Sequence, residues 1–144
     1  MKFKAIICAI NSKYIHSSLA PWCLYTASKK SLDGEYDIKV IEGTINEKEE
    51  DIYKRLLAEK PDFIGFSCYI WNIGRVLSLA EEIKDQGITL ALGGPEVSYR
   101  QRDVLERYSF VDYVISGEGE VTFPSLLKAL RIGSVPDIKG VSYR

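Results

Sequence analysis

The sequence predicts an α/β fold in which a parallel sheet carries helices on both faces. Short apolar runs of strand length alternate with longer segments of helical period along the 144 residues. Most of these runs are apolar on both faces, which is typical of strands buried between two helical layers. Turn-rich segments follow two of the runs, at Gly93-Gly94-Pro95 and at Gly117-Glu118-Gly119.

Five runs have the length and composition of strands. They span residues 3–10, 37–42, 63–69, 88–92 and 111–116. Alternation with helices and right-handed crossovers predict a doubly wound sheet. At this chain length the flavodoxin-like order 2-1-3-4-5 is favoured, in a five-stranded parallel sheet. Residues 134–144 add a short C-terminal strand.

Five helices are predicted between and after these strands. The first has Leu19, Trp22 and Cys23 on one face and begins after an N-cap at Ser17 or Ser18. The other four are marked by apolar residues on one face: Ile52 and Leu56; Ile73, Val76, Leu77, Ala80 and Ile83; Val104, Leu105 and Tyr108; Phe123, Leu126, Leu127 and Leu130. Gly87 and Gly133 end the third and the fifth.

Composition excludes several classes of function. A net charge of −1 gives no electrostatic reason to expect a nucleic acid or membrane partner. Three cysteines without a CxxC pair, and one histidine, argue against a disulfide framework and against a metal or iron–sulfur site within this chain. Unpaired cysteines and the lack of a signal peptide predict a cytoplasmic protein.

The loops after the strands lack the motifs of several common α/β proteins. The end of the first run has no acidic pair for a phosphate-accepting receiver, and residues 11–16 have no glycine for a flavin phosphate loop. The dinucleotide fingerprint, the Walker loop and the GxSxG nucleophile turn are also absent from the sequence.

Small residues dominate the loops that do remain. Ligands of open α/β sheets bind beyond the carboxyl ends of the strands. Gly93-Gly94-Pro95 removes side chains there and lets a bulky ligand approach the main chain. Gly117-Glu118-Gly119-Glu120 does the same and adds two carboxylates, and Ser67 at the end of the third run places a hydroxyl at the topological switch point of the sheet. Plain tight turns are the alternative reading of each loop.

Three segments stand in a characteristic order, at residues 61–67 (PDFIGFS), 92–96 (LGGPE) and 111–120 (VDYVISGEGE). In order and spacing they resemble the cobalamin-binding domain at the N-terminus of many radical S-adenosylmethionine (SAM) enzymes. Residues 138–144 look like the strand that ends that domain. Residues 9–20 are similar to one branch, which includes methyltransferases and relatives of the anaerobic magnesium-protoporphyrin ester cyclase. The resemblance covers nearly the whole chain.

The resemblance implies a corrinoid held against the strand ends, with its nucleotide tail buried at the sheet edge. Three groups of residues would contact it. The loop with Asn11, Ser12, Tyr14 and His16 would face the corrin ring. Ser67, Cys68 and Tyr69 would line the tail pocket. Gly93, Gly94, Pro95 and Glu96 would pack on the tail from one side, and Gly117, Glu118, Gly119 and Glu120 would close the other.

His16 departs from one pattern of cobalamin domains. The methionine-synthase branch has an Asp-x-His-x-x-Gly signature whose histidine binds cobalt. Here Tyr14 stands two residues before His16, and Leu19 three residues after it. We therefore expect no protein ligand to the cobalt.

The resemblance implies a cobalamin-binding domain over residues 1–133, followed by a strand that leads to a radical SAM domain absent from this chain. That domain would carry SAM and the iron–sulfur cluster, so this chain alone would be catalytically silent. Methyl transfer is the reaction that we expect of the full enzyme, with its radical SAM domain as partner. The alternative is a non-catalytic module on the same fold that binds a small ligand or a protein.

Overall fold

A six-stranded sheet forms the centre of the protein. The computed structural model describes residues 2–12, 19–117, 119–134 and 137–144, with the backbone alone at 19 and 20. Within these ranges the strand order is β2-β1-β3-β4-β5-β6. The strands are β1 (Phe3–Asn11), β2 (Tyr36–Thr44), β3 (Phe63–Ser67), β4 (Thr89–Gly93), β5 (Tyr113–Ile115) and β6 (Val141–Tyr143).

Five helices cover both faces of this sheet. They are α1 (Leu19–Ser31), α2 (Glu49–Ala58), α3 (Ile73–Lys84), α4 (Gln101–Arg107) and α5 (Gly119–Ile132). Buried residues of α2, α3 and α4 form one core with Ile6, Ile64 and Leu90 of the sheet. A second core lies on the other face, where α5 packs on Ile7 and Phe63.

The predicted fold class is confirmed, but the predicted five-stranded parallel sheet is wrong in strand count: the C-terminal strand joins the sheet, which is therefore six-stranded and mixed. The first five strands are parallel in the order 2-1-3-4-5. All of β3 is buried, as is β1 from Ala5 onward, because these central strands have a helical layer on each side. The predicted N-caps of the first helix, Ser17 and Ser18, lie outside the described residues.

The C-terminal strand β6 pairs antiparallel with β5. Its first residue, Val141, therefore lies opposite Ile115, at the carboxyl end of the parallel strands. The Ser116 N–H donates to the Gly140 carbonyl at 2.8 Å. At the other end of β6, the Arg144 guanidinium donates to the carbonyls of Val111 and Tyr108. The tail is thus part of the same sheet.

Two aspartates hold the amino ends of neighbouring strands. Asp62, just before β3, accepts a hydrogen bond from the Lys4 N–H at 2.8 Å. Asp112, just before β5, accepts one from the Leu90 N–H at 2.8 Å and pairs with Lys84 at 2.5 Å. Asp112 thus bonds to Leu90 through both its side chain and its backbone N–H, and β5 begins at Tyr113, two residues later than predicted.

None of the helices in the described ranges has the length and apolarity that crossing a bilayer requires.

Replacing Asp112 with alanine should lower the free energy of unfolding by about 1–2 kcal/mol, because the Leu90 N–H and the Lys84 ammonium lose their partner. Urea denaturation measures this change. Asp103→Ala is the matched control: Asp103 also pairs with two basic side chains, but on the surface. The control should change stability by less than about 1 kcal/mol. Equal losses in both variants would contradict the role given to Asp112.

Candidate functional site

The buried side chain of Asn72 joins the carboxyl ends of two strands. It is 1% exposed. Its Nδ2 donates to the carbonyls of Ile10, at 3.0 Å, and Ser67, at 2.9 Å. Its Oδ1 accepts from the Tyr69 N–H at 2.8 Å. One amide thus satisfies three backbone groups, fixes β1 against β3 and closes the turn into α3. This turn ends β3 at Ser67, two residues earlier than predicted.

Gly94 allows the loop after β4 to pack against this turn. Its φ is +102°, and a Cβ there would lie 2.6 Å from the Cys68 carbonyl oxygen and 2.8 Å from the Cys68 nitrogen. Two hydrogen bonds fix the approach: the Cys68 N–H donates to the Gly93 carbonyl, and the Glu96 N–H to the Cys68 carbonyl. Only glycine satisfies both the close approach and the left-handed conformation.

An apolar cavity opens at this edge of the sheet, between the ends of β3, β4 and β5 and the helices α1 and α5. We call it the slot. It has a volume of about 430 Å³, within the usual range for ligand pockets. Its inner wall is formed by Ile7, Leu24, Gly65, Ala91, Ile115 and Phe123. Its mouth is formed by Ser67, Tyr69, Gly93, Gly94, Pro95, Ser98, Tyr99, Gly117, Gly119 and Glu120.

The slot exists because small residues occupy the middle of the sheet. Ile7, Gly65 and Ala91 are register partners on β1, β3 and β4. Side chains of ordinary strand size at the last two positions would fill the space under α5. The Phe123 ring closes the bottom, since a Cβ on Gly65 would lie 3.3 Å from it. Leu24 lies against Gly119 on the helical side, where a Cβ would meet it at 2.8 Å.

Most of the predicted site residues with a described position meet at the slot. Ser67, Gly93, Gly94 and Pro95 line it from the β3 and β4 ends, and Gly117, Gly119 and Glu120 from the β5 end. Tyr69 stands at the mouth, stacked on Trp71 with ring centroids 4.5 Å apart.

Four other predicted residues lie elsewhere. Asn11 is buried at the end of β1, where its Nδ2 donates to Glu42 at 3.4 Å, and Ser12 follows it. Cys68 is buried in the core on the opposite face of the sheet. Glu96 pairs with Arg100 at 3.8 Å. Tyr14, His16 and Glu118 lie outside the described residues.

Two buried thiols lie in the same core, below the loops. Burial raises the pKa of Cys8 to about 12 and also raises the pKa of Cys68. Both thiols are therefore neutral and unreactive at physiological pH. Across the described parts of the chain, His, Cys, Asp and Glu side chains form no group of three or more that could hold a metal ion.

The B12 binding domain family matches residues 8–127. The chain belongs to this family. The match extends from the middle of β1 into α5, so it includes every residue that lines the slot except Ile7. It confirms the family that the order and spacing of the motifs indicated.

Two relatives of this B12 binding domain are much longer proteins. It is 38% identical over 90 residues to the cobalamin-dependent radical SAM methyltransferase TokK of Streptomyces tokunonensis, a match of 59% of this chain and 13% of that protein. It is 27% identical over 116 residues to the anaerobic magnesium-protoporphyrin IX monomethyl ester cyclase of Rubrivivax gelatinosus. That match covers 78% of this chain and 21% of the cyclase.

The fold is shared with a radical SAM methyltransferase of known structure. TsrM from Kitasatospora setae, solved with cobalamin and a [4Fe-4S] cluster bound, superimposes with a TM-score of 0.70 at 19% identity. The superposition covers 99% of this chain and 27% of TsrM. The B12 binding domain thus spans about a quarter or less of the length of these three proteins.

Sequence reasoning missed the inner wall of the slot and its main support. Gly65 and Ala91 carried a signal, since each interrupts a run of bulky residues in a buried strand. Leu24 and Phe123 carried none, because their helical spacing is that of ordinary core residues. Asn72, placed just before a helix, resembles a common N-cap, yet its side chain bonds to neighbouring strands.

Replacing Gly94 with alanine should destabilise the B12 binding domain by at least about 2 kcal/mol, because the new Cβ collides with the Cys68 backbone at a positive φ. Thermal and urea denaturation measure the loss. The matched control is Gly74→Ala, where a Cβ would meet nothing within 4 Å. The control should be unchanged or more stable by up to about 1 kcal/mol. Similar stability of the two variants would refute the close approach.

Proposed function

We propose that this chain is the cobalamin-holding domain of a longer radical SAM enzyme, and that the enzyme transfers methyl groups. The slot is the observation that carries the proposal. The relatives named above support it. TokK is named as cobalamin-dependent, TsrM was solved with cobalamin bound, and all three proteins are several times longer than this chain. When bound, cobalamin supplies the methyl-transfer chemistry of its cobalt, and the protein supplies binding and orientation.

The slot fits part of a corrinoid by its chemistry. Apolar side chains and the bare main chain of Gly65 form its inner wall. Such a wall suits the flat, apolar base at the end of the cobalamin tail. Its mouth exposes main chain at Gly93, Gly94 and Gly117, where the lack of side chains leaves room for the ribose and phosphate. The corrin ring is too large for this cavity, and we propose that it lies across the mouth, facing the loop of residues 11–17.

The predicted site residues then have distinct tasks. Ser67 offers its hydroxyl to the tail inside the slot. Cys68 acts through its backbone, which holds the β4 loop in place. Gly117 and Gly119 border the β5 side, with Glu118 between them. We propose that no residue of the chain binds cobalt, because His16 lacks the sequence pattern of a cobalt-binding histidine.

We also propose how the domain fits into the whole protein. Residues 1–133 hold the cofactor, and residues 134–144 lead through β6 towards a radical SAM domain that carries SAM and the iron–sulfur cluster. The free cysteines suit a reducing cytoplasm. β6 begins beside Ile115 of the slot and runs antiparallel to β5, so its last residues lie at the amino ends of the parallel strands.

Filling the slot should abolish tight cobalamin binding without unfolding the protein. Ala91→Leu extends a side chain into the cavity, so the variant should melt no lower than the natural chain. Its affinity for hydroxocobalamin should fall at least about tenfold, since this loss requires only about 1.4 kcal/mol. Cobinamide, which lacks the tail, should bind both proteins with similar affinity. Absorbance titration of the corrinoid measures each constant.

Ala58→Leu is the control, because it adds the same side chain on an exposed helix surface. It should bind cobalamin like the natural chain. Unchanged cobalamin binding by a folded Ala91→Leu variant would contradict tail insertion. Failure of the natural chain to retain any corrinoid would instead favour the non-catalytic small-ligand module.

A further inference from the structure

We infer that the slot selects the base of the corrinoid tail, taking a benzimidazole in preference to a purine. This inference rests on the proposed function, because it assumes that the tail enters the slot. It goes further by naming the class of cobamide that the domain accepts. Natural cobamides share the corrin ring and differ in this base, so the choice decides which of them the domain retains.

The inner wall of the slot offers a base almost nothing polar. Ile7, Leu24, Ile115 and Phe123 present hydrocarbon, and Gly65 and Ala91 present the flat surface of the sheet. The cavity lies against the second hydrophobic core, whose buried members include three of these four large side chains. A polar atom that enters this region loses water and finds no side-chain partner.

The polar groups near the slot are mostly engaged already. The Ser98 hydroxyl donates to the Gly94 carbonyl at 2.8 Å, and two backbone N–H groups bond to that same carbonyl. The Gly93 carbonyl accepts from the Cys68 N–H at 2.7 Å. Glu120 and Tyr99 stand at the mouth in solvent. Two serines of the mouth are buried, and of these described residues Ser67 is the one whose side-chain hydroxyl makes no hydrogen bond within the protein.

An apolar wall with one unbonded hydroxyl suits a benzimidazole base and does not suit adenine. A 5,6-dimethylbenzimidazole tail has a single free ring nitrogen, which one serine hydroxyl can satisfy, and two methyl groups that gain from an apolar wall. An adenine tail has three free ring nitrogens and an exocyclic amine. At least three of these four polar groups would be buried without a side-chain partner, at a cost that favours the benzimidazole.

Equilibrium titration of the natural chain with three hydroxo-corrinoids tests the inference: cobalamin, the adenine cobamide and cobinamide. The chain should bind cobalamin about ten- to a hundredfold more tightly than the adenine cobamide, the range in which apolar pockets discriminate between similar ligands. Cobinamide, without a tail, should bind most weakly. Corrinoid absorbance after separation of bound and free ligand gives each constant, without any enzymatic assay.

Leu24 provides the variant that changes the preference. Leu24→Asn keeps the branched shape and adds an amide to the slot wall, which gives adenine a partner and costs benzimidazole an apolar contact. The preference for cobalamin should fall at least about threefold. Leu24→Met is the matched control, because it keeps the wall apolar and should change the preference by less than about twofold. Leu24 is half-buried, so both variants should fold, and melting curves verify this.

The possible outcomes distinguish a failure of the base selectivity from a failure of the proposed function. Equal affinity for cobalamin and the adenine cobamide, with both bound, would overturn the selectivity and leave the proposed function standing. No binding of any corrinoid would overturn both. A preference that is the same in Leu24→Asn as in the natural chain would show that the slot wall does not set it, and would also overturn the inference.

Discussion

The fixed position of the turn after β3 is the constraint on which the site depends. The Asn72 amide bonds to the carbonyls of Ile10 and Ser67 in a buried environment, where an unmade hydrogen bond is expensive. The turn that it holds then supports the β4 loop, which can approach only because position 94 is glycine. Without this support the ends of β3 and β4 would not form one side of a stable cavity.

Two of the motifs, residues 61–67 and 111–120, reach both ends of their strands. Asp62 and Asp112 belong to the same segments as Ser67 and Gly117, yet they lie at the amino ends and tie neighbouring strands together. The small residues lie at the carboxyl ends and in the slot. These two segments thus fix their strands at the amino end and line the slot at the other, so different residues of one segment support the strand and the candidate site.

The fold could be predicted from sequence because its signal is repeated and local. Strands apolar on both faces, separated by helical periods, leave few alternatives, and the predicted order agrees with the structure for the first five strands. The antiparallel direction of β6 could not be predicted, since a three-residue strand carries no directional signal.

The candidate site was predictable only in part. Glycines after strands mark exposed main chain, and Gly93, Gly94 and Gly117 do border the slot. Leu24 and Phe123 form its walls through contacts between distant segments, which local patterns do not encode. Cys68 stands beside Ser67 in sequence, but residues alternate across a strand, and its side chain enters the opposite core.

If the base of the cobalamin tail lies in the slot, as we propose, it cannot at the same time be bound to the cobalt. Electron paramagnetic resonance of cob(II)alamin bound to this chain tests this proposal most directly, because a nitrogen bound to cobalt splits the signal. The account predicts a bound spectrum without nitrogen splitting, in the natural chain and equally in His16→Ala. Splitting that persists in both proteins would show the base still on cobalt and contradict insertion of the tail; splitting lost only in His16→Ala would identify His16 as a cobalt ligand.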